Sequence, residues 1–94
     1  MKFIWDENKN RINRAKHGVT FDTAKLVFAD PLHLSRQDRY EKGEERWQTL
    51  GKVGGVVVLL VAHTILDEAG EETIRMISAR KATKEERRYY EQAY

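Results

Sequence analysis

The sequence predicts an α+β domain with helices grouped against one face of a mostly antiparallel sheet. Three observations lead there. Strand-like and helix-like stretches follow one another as strand, two helices, three or four strands, helix. The longest apolar run, Val56 to Ala62, has the length of a strand. The helical stretches carry their own start and stop residues, and the strands are separated by Gly-containing turns.

Phe3, Ile4 and Trp5 form a short opening strand. Asp6 then suits the N-cap of a helix over Glu7 to His17, because its carboxylate accepts from unpaired backbone N–H groups of the first turn. Gly18 stands where a helix ends in the left-handed conformation. Thr20 caps a second helix, Phe21 to Ala29, which Asp30-Pro31 closes.

From Leu32 the pattern becomes extended. His33 to Tyr40 reads as a polar edge strand. Glu45 to Val53 alternates, with Trp47, Thr49, Gly51 and Val53 on one face and Arg46, Gln48, Leu50 and Lys52 on the other. Gly54-Gly55 marks a tight hairpin into "VVVLLVAHT", apolar on both faces as a central strand is. "LDEAGEE" reads as a solvated turn before the last strand, Thr73 to Lys81. Thr83 and Glu86 have capping-box spacing and open a terminal helix.

With 94 residues, 40% of them hydrophobic, the chain makes one domain over residues 1–94 with a modest core. No segment has the run of about 18 apolar residues a membrane span needs, and no apolar leader stands at the N-terminus, so a soluble cytoplasmic protein is expected. The absence of cysteine leaves no disulfide or thiolate-metal chemistry.

The net charge is only +2, yet 34% of residues are charged, so distribution matters more than balance. Lys9, Arg11, Arg14 and Lys16 fall together with no acid among them. Acids gather at Glu41, Glu44 and Glu45 and again from Asp67 to Glu72. Such segregation fits an anionic ligand on one side and a basic partner on another, and equally fits ordinary solvated faces.

Three groups are candidates for chemistry. Lys16 and His17 end the first helix, where cations also complement the helix dipole; Lys9, Asn13 and Lys16 share one helix face. His63 ends the central strand, either as a satisfied core residue or as a proton-transfer group. Arg75 and Arg80 lie on the last strand, Arg46 on the hairpin, and Arg87 and Arg88 on the final helix; guanidinium groups suit phosphate because they are planar and permanently charged. Strict alternation puts Arg75 and Arg80 on opposite faces unless the strand bulges near Ala79. No metal-ligand spacing links His17, His33 and His63, and no Gly-rich phosphate loop is present.

The stretches "FIWDENK", "KHGVTF", "VFADP", "VVLLVAHT" and "IRMISARKATKEERRYYE" together resemble the BrnT toxins of bacterial type II toxin–antitoxin systems, over essentially the whole chain. The resemblance implies a RelE-like fold with helices on a twisted sheet. It implies a ribonuclease that blocks translation, is neutralised by a BrnA-like antitoxin, and meets operator DNA only through the antitoxin complex. No cofactor is implied.

Metal-independent cleavage needs a base for the ribose 2′-OH, cations for the scissile phosphate and a proton for the departing oxygen. The expectation is that His63, or Lys16 with His17, transfers protons and that Arg46, Arg75 and Arg80 bind phosphate. Lys9 and Arg87 would hold the RNA backbone, and Trp47 or Tyr90 would stack a base, with core packing as the other reading of Trp47. The alternative function is a binding module of the same fold that holds nucleic acid or protein without cutting.

Overall fold

A computed structural model describes residues 1–93. The order is β1 (Lys2–Ile4), α1 (Glu7–His17), α2 (Phe21–Ala24), a 3-10 helix (Lys25–Ala29), β2 (Leu34–Glu41), β3 (Glu44–Val53), β4 (Val57–Glu68), β5 (Glu71–Lys81) and α3 (Lys84–Gln92). The strands form one sheet in the order β1-β5-β4-β3-β2, antiparallel except for the parallel pair β1 and β5.

The local signals act as expected from their chemistry. The Asp6 carboxylate accepts from Asn8 N and Lys9 N, and Gly18 ends α1 at φ 71°. Thr20 caps α2, but after four residues the chain tightens into the 3-10 helix. Thr83 and Glu86 form both halves of the capping box of α3.

Two corrections concern turns. Ala69-Gly70 is a two-residue turn with both residues at positive φ, so "LDEAGEE" is mostly strand, with Asp67 opposite Glu72 and Glu68 opposite Glu71. The hairpin after β3 closes between Val53 and Val57 across three residues, leaving Val56 exposed.

A third correction concerns layers. α1, α2 and the 3-10 helix cover one face over Phe21, Val27, Leu59, Val61, Ile74 and Met76. α3 does not join them. It packs on the other face at one end, where Tyr90 meets Leu50, Val58 and Leu60. The two-sided apolar pattern of β4 thus serves two cores. The first core draws the 3-10 helix so close that a Cβ on Gly51 would stand 2.6 Å from a Val27 methyl. Between the cores, Asp30 accepts from Lys52 N at 2.8 Å and from the Tyr90 hydroxyl, pinning α3 to the 3-10 helix.

β5 is bulged. Ala62 pairs with Ser78 and His63 with Met76, which leaves Ile77 as the extra residue. The bulge resets alternation: Ile74, Met76 and Ala79 all reach the first core. Arg75 and Arg80 therefore share the opposite face.

Candidate active site

Because α3 covers only one end of its face, the rest of that face is open. Register partners share a face, so its side chains fall into rows. Of three successive rows, the one farthest from α3 holds Arg39, Arg46, Thr64 and Arg75. The next holds Arg36, Gln48, Ala62 and Ser78. The third, at the edge of α3, holds Leu34, Leu50, Leu60 and Arg80.

Glu44 organises the first row. Lys42-Gly43, both at positive φ, turn β2 into β3 and place Glu44 two residues before Arg46, on the same face. Its Oε1 accepts from the Arg75 guanidinium at 2.6 Å and lies 4.0 Å from that of Arg46. Arg46 Nε and Thr64 Oγ1 are buried in this row and lack a hydrogen-bond partner; no other buried side-chain polar atom among the described residues does. Native proteins keep few such atoms; here one belongs to a convergent guanidinium and the other to the register partner of Arg75.

Arg80 is held differently. Its guanidinium grips the Glu86 carboxylate through two bonds of 2.8 and 3.1 Å, while Glu86 also caps α3 at Thr83 N. The bonds from Arg80, outweighing partial burial, hold the Glu86 carboxyl down at about 2. Arg36 pairs with no carboxylate among the described residues; it donates to Gln48 Oε1 at 3.1 and 3.3 Å.

Lys9, Lys16 and His17 come together on α1 in a shallow hollow against the bulge residues Ile77 and Ser78. Ser78 belongs to the second row, so this cluster borders the open face at the β5 edge. Arg87 lies exposed on α3.

Three expected residues stand elsewhere. His63 has no exposed surface. It packs edge-on to Phe28 with centroids 5.0 Å apart, and Nε2 lies 2.7 Å from Thr49 Oγ1, which in turn lies 2.7 Å from Ser35 Oγ. Burial pushes its pKa down to about 4, so the imidazole is neutral and belongs to the first core, away from the open face. Trp47 pairs with His63 and shares that covered side, so it cannot stack a base beside Arg46. Tyr90 is 5% exposed and its hydroxyl is engaged by Asp30. The exposed neighbour is Tyr89, at 59%.

Sequence reasoning also passed over Glu44 and Thr64. The two-residue Lys42-Gly43 turn was the available signal for Glu44, since it fixes the register of β3. Thr64 had none, because only the bulge places it between Arg46 and Arg75.

The model of the ribonuclease toxin BrnT of type II toxin–antitoxin systems matches residues 5–86 of the chain. The chain belongs to the BrnT family. Membership makes RNA the target and an antitoxin the partner of this fold. Among solved structures, the Brucella abortus ribonuclease toxin BrnT superposes with a TM-score of 0.61 at 27% identity, covering 89% of this chain and 99% of that one. No curated protein sequence matches the chain. No helix among the described residues is long and apolar enough to cross a membrane.

Proposed function

We propose that this BrnT-family chain is a metal-independent endoribonuclease whose active site is the open face around Glu44, Arg46 and Arg75. The observation that carries the reading is the convergence of two guanidinium groups from different strands on one carboxylate, 2.6 and 4.0 Å away. Glu44 takes the proton of a ribose 2′-OH. The 2′-oxygen attacks phosphorus, and the bond to the 5′-oxygen breaks to leave a 2′,3′-cyclic phosphate. Arg75 and Arg46 hold the phosphate oxygens as charge builds, the task that metal ions perform in other nucleases. Lys16 or His17, at the rim, or solvent returns a proton to the leaving oxygen. Arg80 and Arg36 extend the cationic track, with Lys9 and Arg87 at its ends.

Cutting messenger RNA in the cytoplasm would stop translation and growth. Family membership supports neutralisation by a BrnA-like antitoxin, whose own DNA-binding part would carry the complex to operator DNA. The test is incubation of the purified chain with an unstructured RNA in excess chelator. Cleavage is expected; a mobility shift without cleavage would favour a binding module instead.

A further inference from the structure

The open face continues under the start of α3 into a cavity of about 370 Å³. That falls within the roughly 300–1,000 Å³ of small-ligand sites. Its floor is apolar: Leu34, Leu50 and Leu60. Tyr89 stands on its wall with more than half its surface exposed. The tyrosine that closes the second core is the next residue, Tyr90, so Tyr89 is not needed for packing.

Arg36 also lines the cavity, with its guanidinium donating to Gln48; the groups beside it, Gln48 and Glu85, suit a base edge. The Gln48 carbonyl oxygen accepts from Arg36, which leaves its amide N–H groups to donate. Glu85 also lines the cavity and makes no hydrogen bond or ion pair within the described residues. A donor amide and an acceptor carboxylate together match the edge of guanine, where a carbonyl oxygen lies beside two N–H donors that one carboxylate can take together; uracil has the carbonyl but a single N–H beside it. Adenine lacks the carbonyl, and a carboxylate at the rim repels phosphate.

Gln48 is two residues from Arg46 on the same face, about 6.7 Å along the strand. The cavity mouth therefore adjoins the phosphate-binding row. We infer that the cavity beneath α3 is a nucleobase pocket that takes an unpaired guanine flanking the scissile phosphate, stacked on Tyr89 and read by Gln48 and Glu85. This rests on the nuclease reading for its substrate, and on the cavity alone for its base.

The experiment is an NMR titration of the intact chain with guanosine, adenosine, cytidine and uridine, run beside cleavage-site mapping on an unstructured RNA. Guanosine should move the Tyr89, Leu50 and Leu60 signals and bind more tightly than the other three. Tyr89→Ala should weaken it about tenfold, within the range of one lost stacked base, and Tyr89→Phe should not. Glu85→Gln should erode the preference for guanosine over adenosine. Cleavage should fall beside guanines, and Tyr89→Ala should flatten that pattern. Equal binding of the four nucleosides, or signals moving outside the cavity, overturns the pocket. RNA cleavage with an empty cavity sinks the pocket and leaves the nuclease reading standing. Guanosine bound in the cavity of a chain that cuts no RNA keeps the pocket and sinks the nuclease reading.

Discussion

The Arg75 guanidinium lies 2.6 Å from the Glu44 carboxylate, a contact that spans 31 positions of sequence and three strands of the sheet. Each side chain is about a third exposed. An ion pair this accessible contributes little to stability, on the order of 0–1 kcal/mol. Its place beside Arg46 suits it instead to the chemistry proposed above. Glu44→Gln keeps the shape and removes the base. RNA cleavage should drop by about 10²–10⁴-fold while the melting temperature stays within a few degrees, as checked by single-turnover cleavage and calorimetry.

Thr64 supplies a second prediction. Its hydroxyl is buried without a partner among the described residues, so Thr64→Val removes an unsatisfied polar atom at nearly constant volume. Stability should rise by about 1 kcal/mol. For a domain of this size that is a gain of roughly 4–8 °C in melting temperature. Unchanged or lower stability would mean that the hydroxyl is satisfied by ordered water.

His63 makes the fold sensitive to mild acid. Its folded pKa is near 4 because burial disfavours the charged ring, against 6.5 when exposed. Between those values the unfolded chain binds a proton that the folded chain refuses. The contribution is fully present above pH 6.5 and is lost as pH falls toward 4. Unfolding free energy from urea titrations should drop by about 2 kcal/mol between pH 7 and pH 5. His63→Gln should flatten that slope, though it lowers stability at every pH by disturbing the Thr49 contact.

Arg80 and Glu86 predict a separate, more acidic transition. The Glu86 carboxyl is held at about 2, chiefly by its bonds from Arg80, against 4.5 when free. Its stabilisation is present above pH 4.5 and is lost as pH falls toward 2. Partial exposure of both side chains limits the effect to about 1 kcal/mol. Glu86→Gln should weaken the pH dependence below 4.5 and leave the His63 slope intact. Arg80→Ala should both reduce cleavage and loosen the start of α3, seen as faster amide exchange from Glu85 to Arg87.

Much of the fold was legible because its signals are local. Asp6, Gly18, Thr20 and Thr83 act through backbone groups a few residues away, and each cap stands where the residues place it. The placement of α3 on the far face was hidden, since the apolar pattern of β4 is the same whichever side a helix takes. The site was legible as residue types and not as an arrangement. Arg75 and Arg80 share a face only because Ile77 is bulged out, a long-range consequence of fitting β5 to β4. In sequence His63 looks reactive and Tyr90 open to stacking, yet their surroundings come from Phe28, Thr49 and Asp30, far away along the chain.

The central claim is that the open face uses the 2′-hydroxyl of RNA, deprotonated by Glu44 between two arginines. The most direct measurement follows cleavage of one RNA and its counterpart carrying a single 2′-deoxyribose at the cut site, in excess chelator. The account predicts a 2′,3′-cyclic phosphate product from the first and an intact linkage in the second. Cutting of the deoxy linkage, or activity that vanishes with chelator and returns with a divalent metal, would contradict it.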